Sequence, residues 1–173
     1  AFTLDRSGRK ERVPHPVRAR AGRRRRGPER PPMAPFKYRA FISYSHADRR
    51  WAEWLHKALE TYRVPSRLVG RETAAGVIPR SLAPIFRDRD ELPSAHDLTG
   101  KVQEALAQSA NLIVICSPHS AGSRWVEAEI RAFQALGRAD RVFCLIVEGE
   151  PHACFAPVLR GTDGEEPIAA DVR

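Results

Sequence analysis

Glu129 is a carboxylate in a position where the surrounding pattern predicts an apolar side chain. The stretch SRWVEAEI, residues 123–130, begins an amphipathic helix. The residues that recur at helical spacing along it are Trp125, Ala128, Glu129, Ala132, Phe133 and Leu136. A carboxylate inside such an apolar stripe costs stability unless it is compensated. Glu129 therefore either acts on a ligand, or lies at the edge of the stripe and pairs with an arginine such as Arg124 or Arg131.

Further polar residues follow the predicted strands, where the binding site of a parallel sheet would lie. Ser43, Ser45 and His46 come directly after the first strand. They could line a pocket, with Ser45 and His46 as hydrogen-bonding groups, or Ser45 could only shape the turn. Arg87 and Arg89 are the nearest cations to another strand end and could bind a pyrophosphate. The sequence RDRDE around them alternates in sign, which is also typical of a loop that neutralises its own charges.

The sequence lacks the motifs of several common binding sites. The sequence contains no GxxxxGK[ST] and no GxGxxG after a strand, which excludes a P-loop and gives no indication of dehydrogenase-type dinucleotide binding. The histidines after the strands show no metal-ligand spacing, and none of Cys116, Cys144 and Cys154 stands in a CxxC pair, so we expect no metal and no bound cofactor. The cysteine pattern favours a reducing compartment. No apolar run could span a bilayer, so we expect a cytoplasmic chain without membrane contact.

Alternating strands and helices must position these residues. Strands are predicted at 39–45, 82–88, 111–117, 141–149 and 166–172, and helices at 48–62, 98–110 and 122–137. Asp48, Asp97 and Ser123 are the predicted helix N-caps, and Gly137 the predicted stop. The unbroken apolar runs LIVIC and VFCLIV are typical of strands buried on both faces. The fold class is therefore α/β, a parallel sheet of about five strands flanked by helices, with ligands at the carboxyl ends of the strands.

The basic charge of the chain is concentrated at its N-terminus. The net charge of +8 belongs entirely to residues 1–35, and the remainder is balanced. This segment is rich in Arg, Pro and Gly without an apolar period, so we predict that it is disordered. An arginine run can bind nucleic acid or an anionic membrane, or serve as an import address. The first residue is Ala and the only Met is Met33, however, so we expect the functional domain at 36–173 and no specific nucleic-acid partner.

Three segments in order resemble a known family. FISYSHAD, FRDRDELPSAHDL and SRWVEAEI resemble motifs of the Toll/interleukin-1 receptor (TIR) domain, especially its bacterial branch: the opening strand, the loop after the second strand, and the Trp-x-x-x-Glu motif at Trp125 and Glu129. The resemblance extends from about Tyr38 to the end of the chain. It implies a flavodoxin-like fold and a chain that stops before the last helix of the domain. Ala95 and His96 stand where the family often has Gly.

The resemblance implies two kinds of function in signal transduction or defence. Some TIR domains cleave NAD⁺ at the nicotinamide–ribose bond, and the carboxylate carried over to this chain is Glu129. The residues we then expect to contact NAD⁺ are Ser43, Ser45, His46, Arg87, Arg89, Leu92 and Trp125. Other TIR domains are adaptors that associate with themselves or with other TIR domains, here through the loop at 88–97. The two functions are compatible, because family enzymes commonly need assembly to close the pocket.

The cleavage chemistry suits a single carboxylate. Nicotinamide in NAD⁺ is already cationic and leaves as a neutral molecule, so no general acid is needed and a second carboxylate, usual in glycoside hydrolysis, is dispensable. One carboxylate can orient the ribose hydroxyls and stabilise the developing positive charge. Burial beside Trp125, which we expect mainly to pack, would strengthen that interaction.

Overall fold

The computed structural model describes residues 36–73, 76–87, 95–160 and 167–173, with backbone alone for 95–99, and the backbone of 2–4 and 10–12. The chain divides into two units, 1–33 and 34–173. In the first unit, β1 (Phe2–Leu4) pairs antiparallel with β2 (Lys10–Arg12). The disorder predicted for 1–35 stays a prediction, because most of that segment lies outside the described residues.

The second unit is built on a five-stranded parallel sheet. Its strands are β3 (Ala40–Ser43), β6 (Ile85–Arg87), β7 (Leu112–Cys116), β8 (Val142–Ile146) and β9 (Ala169–Asp171), in the order β6-β3-β7-β8-β9. Two further short strands, β4 (Glu72–Thr73) and β5 (Gly76–Val77), form an antiparallel pair outside this sheet. The strand order reverses between β3 and β7, which is the point where α/β sheets bind ligands. The predicted fold class and number of strands are confirmed.

Helices flank the sheet on both faces. They are α1 (Arg49–Thr61), α2 (Ala95–Ala107), α3 (Pro118–Ala121), α4 (Arg124–Ala135) and α5 (Pro151–Cys154). The short helices α3 and α5 escaped prediction, because each is a single turn that begins with proline. The prediction of Asp97 as N-cap is wrong, because α2 already begins at Ala95. Ser123 caps α4, and Gly137, with φ +74°, follows its end as predicted.

The alternation of side chains along β3 assigns the two faces of the sheet. Ala40 and Ile42 point toward α1, whereas Phe41 and Ser43 point toward α2 and α4. Cys116 and Cys144 are buried as expected. Cys154, predicted in a loop, is also fully buried, because α5 carries it into the core. No helix among the described residues is long and apolar enough to cross a membrane.

Candidate functional site

Glu129 lies in the buried stripe of α4 and is hydrogen-bonded to the sheet. Its side chain is 7% exposed, and Ser43 Oγ donates a hydrogen bond of 2.5 Å to Glu129 Oε2. Ser43 is the last residue of β3 and has no exposed surface. The bond joins residues 86 positions apart and places the carboxylate at the carboxyl end of a central strand. The predicted burial of Glu129 is confirmed, and a serine on the sheet contributes to its compensation.

The stripe around Glu129 is offset by one residue from the predicted one. Its buried members are Val126, Glu129, Ile130 and Phe133. Trp125 is 59% exposed, so the expectation that it mainly packs is wrong. The branched side chains of Val126 and Ile130 fill the interface with the sheet, which turns Trp125 outward. Trp125 lies one helical turn before Glu129, so the two are near neighbours along the helix surface.

Arg124 and Arg131, the two arginines of α4 considered as partners of Glu129, do not face it. Arg131 Nη2 lies 2.6 Å from Glu127 Oε1, in a pair along the outer face of α4. Arg124 is exposed. Neither of these arginines is placed against the buried face on which Glu129 meets Ser43.

A second buried carboxylate occupies the reversal point of the sheet. Asp48 is 3% exposed and accepts a hydrogen bond of 2.7 Å from Ser117 Oγ. Asp48 precedes α1, as predicted for its N-cap, but its side chain makes no capping bond. Burial raises the pKa of Asp48, and the Ser117 bond and the charge of His119 oppose that rise.

Ser117 follows β7 directly and serves two elements. It is fully buried, and its side chain also accepts a hydrogen bond from the backbone of Ser120 in the capping box that starts α3. Neither Ser117 nor its link to Asp48 was predicted from the sequence. The only local signal was the SPHS pattern after a buried strand, which indicates a cap but not a partner 69 residues away.

The remaining predicted residues divide into three groups. Ser45 and His46 lie on the connection after β3, where His46 begins a 3-10 helix, His46–Asp48; Ser45 is half-buried and His46 exposed. The carbonyl of Ser45 accepts a hydrogen bond of 2.8 Å from the backbone of Asp48, so Ser45 does shape the turn. Arg89 and Leu92 lie outside the described residues.

Arg87 forms the third group, because the structure does not bring it to Glu129. It pairs in register with Ile42 and therefore projects from the face of the sheet that α1 covers. Its Nη1 atom lies 3.6 Å from Glu53 Oε1 on α1. Ser43 and Glu129 meet on the opposite face, so this geometry separates Arg87 from the carboxylate by the thickness of the sheet.

Within the described ranges, no group of three or more His, Cys, Asp or Glu side chains could hold a metal ion. A cavity of about 250 Å³ lies on the α1 face of the sheet, between Leu55, Ile113 and Phe143. None of the predicted site residues lines it.

The fold and motifs define a class of protein. The family model for the TIR domain matches residues 40–167, and the chain belongs to the TIR domain family. The resemblance seen in the sequence is thereby confirmed.

Two relatives show how close the similarity is. The chain is 33% identical over 151 residues to the NAD(+) hydrolase ApTIR of Actinoplanes sp. (strain SE50/110), a match that covers 79% of this chain and 19% of that protein. The chain thus spans about a fifth of the length of this relative. Among solved structures it is similar to the TIR domains of the activated Roq1 resistosome directly recognizing the pathogen effector XopQ. That match has 19% identity and a TM-score of 0.46, and covers 66% of this chain and 60% of the other.

Proposed function

We propose that this chain cleaves NAD⁺ at the bond between nicotinamide and ribose, with Glu129 as the catalytic carboxylate. The observation that carries the proposal is the burial of Glu129 against Ser43 at the carboxyl end of β3. An ionisable side chain in an apolar stripe is costly, and such groups concentrate at functional sites. The relative from Actinoplanes, named as an NAD(+) hydrolase, supports the same substrate.

The reaction balances without a bound cofactor. The bond between C1′ of the ribose and N1 of the pyridinium breaks, and its electron pair neutralises the nitrogen, which leaves as nicotinamide. Positive charge develops on the ribose, where a carboxylate stabilises it through space. Water adds to C1′ and loses one proton, so the products are nicotinamide, ADP-ribose and H⁺. Exclusion of water around Glu129 strengthens its electrostatic effect on the developing charge.

Four further residues have roles in this proposal. Ser43 is fully buried, so it acts on Glu129 rather than on the substrate, holding one carboxylate oxygen and orienting the other. The exposed indole of Trp125, one turn earlier, can stack on a flat ring of the ligand. Ser45 and His46, on the loop after β3, supply hydrogen-bonding groups for the ribose or the phosphates.

The test is NAD⁺ consumption with nicotinamide measured as product. We compare residues 34–173 with the variants Glu129→Gln and Glu127→Gln. Glu127 is the matched control, because it lies on the same helix and pairs outward with Arg131. We expect Glu129→Gln to lose at least about a hundredfold in rate, and Glu127→Gln to keep the wild-type rate. Equal rates for all three proteins, or no cleavage by wild type even at high protein concentration, contradict the proposal.

Association with other TIR domains, or with further copies of this chain, remains the alternative proposal. Its predicted residues, Leu92 and Pro93, lie outside the described part of the chain. If Leu92→Ala abolishes self-association while folded wild type and Glu129→Gln both leave NAD⁺ intact, the chain acts as an interaction module and Glu129 is a structural carboxylate.

A further inference from the structure

The bond between Asp48 and Ser117 joins the two loops that border the reversal point of the sheet. Asp48 ends the loop that follows β3, and Ser117 begins the loop that follows β7. From these neighbouring strands the chain leaves for opposite faces, first into α1 and then, through α3, into α4. Such a divergence opens a crevice in an α/β sheet. Here the two buried side chains bridge it at 2.7 Å.

Asp48 makes this distant hydrogen bond in place of a local one to its own helix. An aspartate at the N-cap usually accepts a hydrogen bond from the first turn of its own helix. The Asp48 carboxylate makes no such bond to α1 and instead accepts from a hydroxyl on another strand end. The serine hydroxyl is fully buried, so the hydrogen bond is shielded from water and stronger than an exposed one.

The loop held by this bond carries two of the residues predicted to bind substrate. Ser45 and His46 lie between Ser43, which holds Glu129, and Asp48, which is tied to Ser117. A backbone hydrogen bond from Asp48 to Ser45 closes the turn between them. The loop is therefore fixed at both ends, once to the strand and once across the crevice.

We propose that Asp48 is a positioning residue, which acts through Ser117 to hold Ser45 and His46 at the correct distance from Glu129. The proposal rests on the proposed function, because it concerns the same pocket. It predicts that loss of the bond loosens the loop and weakens substrate binding, while the Ser43–Glu129 pair and the chemical step remain intact. Binding groups that are misplaced by about 1 Å cost affinity readily.

Two serines at opposite ends of β7 give a matched test. Ser117→Ala removes the bond to Asp48, whereas Ser109→Ala removes an equally buried hydroxyl bond, from Ser109 to the carbonyl of Ala105, before the strand begins. We expect the KM for NAD⁺ to rise at least about fivefold in Ser117→Ala with kcat within about twofold of wild type. Ser109→Ala should keep the wild-type KM even if it lowers the melting temperature as much as Ser117→Ala does.

Three further variants separate the effect of this bond from that of its surroundings. Asp48→Ala removes the acceptor and should reproduce the effect of Ser117→Ala, while Asp48→Asn keeps an acceptor oxygen and should restore most of the affinity. Ser120→Ala weakens the capping box of α3 but leaves the bond between Asp48 and Ser117 in place, so its KM should stay near that of wild type.

Amide hydrogen exchange measures the loop without relying on catalysis. Exchange over residues 44–48 should rise at least about fivefold in Ser117→Ala and Asp48→Ala, but not in Ser109→Ala. Unchanged exchange in that segment overturns the proposal, and so does an unchanged KM in an active Ser117→Ala enzyme. If wild type leaves NAD⁺ intact, the proposed function fails, and the exchange result alone decides whether the bond holds the loop.

Discussion

Removing both members of the Ser43–Glu129 pair should harm the fold less than removing the serine alone. The pair is nearly closed to solvent, with Ser43 fully buried and Glu129 7% exposed. Ser43→Ala leaves a buried carboxylate without this donor, which costs about 1–3 kcal/mol of unfolding free energy. Glu129→Met removes the buried charge and adds apolar contact with Val126 and Ile130, but it leaves the buried Ser43 hydroxyl without this acceptor, so it should also cost about 1–3 kcal/mol.

The double variant, Ser43→Ala with Glu129→Met, contains neither polar partner. Replacing both members of a buried polar pair is nearly neutral or stabilising, so we expect it to be at least as stable as wild type within about 1 kcal/mol. It should therefore exceed Ser43→Ala by about 1–3 kcal/mol, which for a unit of this size raises the melting temperature by roughly 3 °C or more.

The assay is urea unfolding of the four proteins, followed by far-ultraviolet circular dichroism, with NAD⁺ cleavage measured alongside. Both Glu129→Met proteins should be inactive, and Ser43→Ala should be impaired. If Glu129 serves catalysis rather than folding, its replacement together with Ser43 should not lower the unfolding free energy. If the double variant loses the sum of the two single losses, and each single loss is large, then Glu129 holds the fold together and the structural argument for its catalytic role fails.

Two exposed tryptophans give a second prediction: Trp125→Ala should raise the KM for NAD⁺, whereas Trp54→Ala, at a position that is 51% exposed on α1, should not. Neither substitution should change the unfolding free energy by more than about 0.5 kcal/mol. Equal KM values for the two variants would show that Trp125 does not contact the substrate. Gly149→Ala should destabilise by more than about 1 kcal/mol in thermal unfolding, because φ is +81° and the new Cβ would lie 2.9 Å from Pro118 Cγ. Gly137→Ala, with φ +74° and open space around it, should cost less; the reverse order would contradict this. Burial raises the pKa of Asp48 above its unfolded value, so the folded state binds more protons and stability falls as pH rises from about 4 through that raised pKa. Asp48→Asn should therefore gain stability relative to wild type between pH 4 and pH 7 in urea unfolding, and an unchanged difference would refute the linkage.

The sequence predicted the sheet because its signals there are local. The unbroken apolar runs that form β7 and β8 are typical of buried strands, and the predicted helices show clear helical periodicity. The buried face of α4 could not be predicted from local sequence alone. Trp125 and Val126 are both apolar, so two overlapping stripes fit the pattern, and only packing against β3 and β7 selects the one with Val126.

The site was predicted in part for the same reason. Glu129 could be found because it breaks a pattern on its own helix. The partners of the two buried carboxylates lie 86 and 69 residues away, and hydroxyl donors such as Ser43 and Ser117 leave no trace in hydrophobic periodicity. Arg87 was placed near the site because it ends a strand, but the alternation of β6 sends it to the other face.

The cavity on the α1 face bears on how the domain behaves in concentrated solution. Phe143 is 54% exposed at its rim, and apolar surface of this kind promotes association between molecules. Glu129 and Ser43 lie on the other face of the sheet, so this apolar surface is separate from them. The polar replacement Phe143→Ser can therefore improve handling of the protein without touching the groups that would bind NAD⁺.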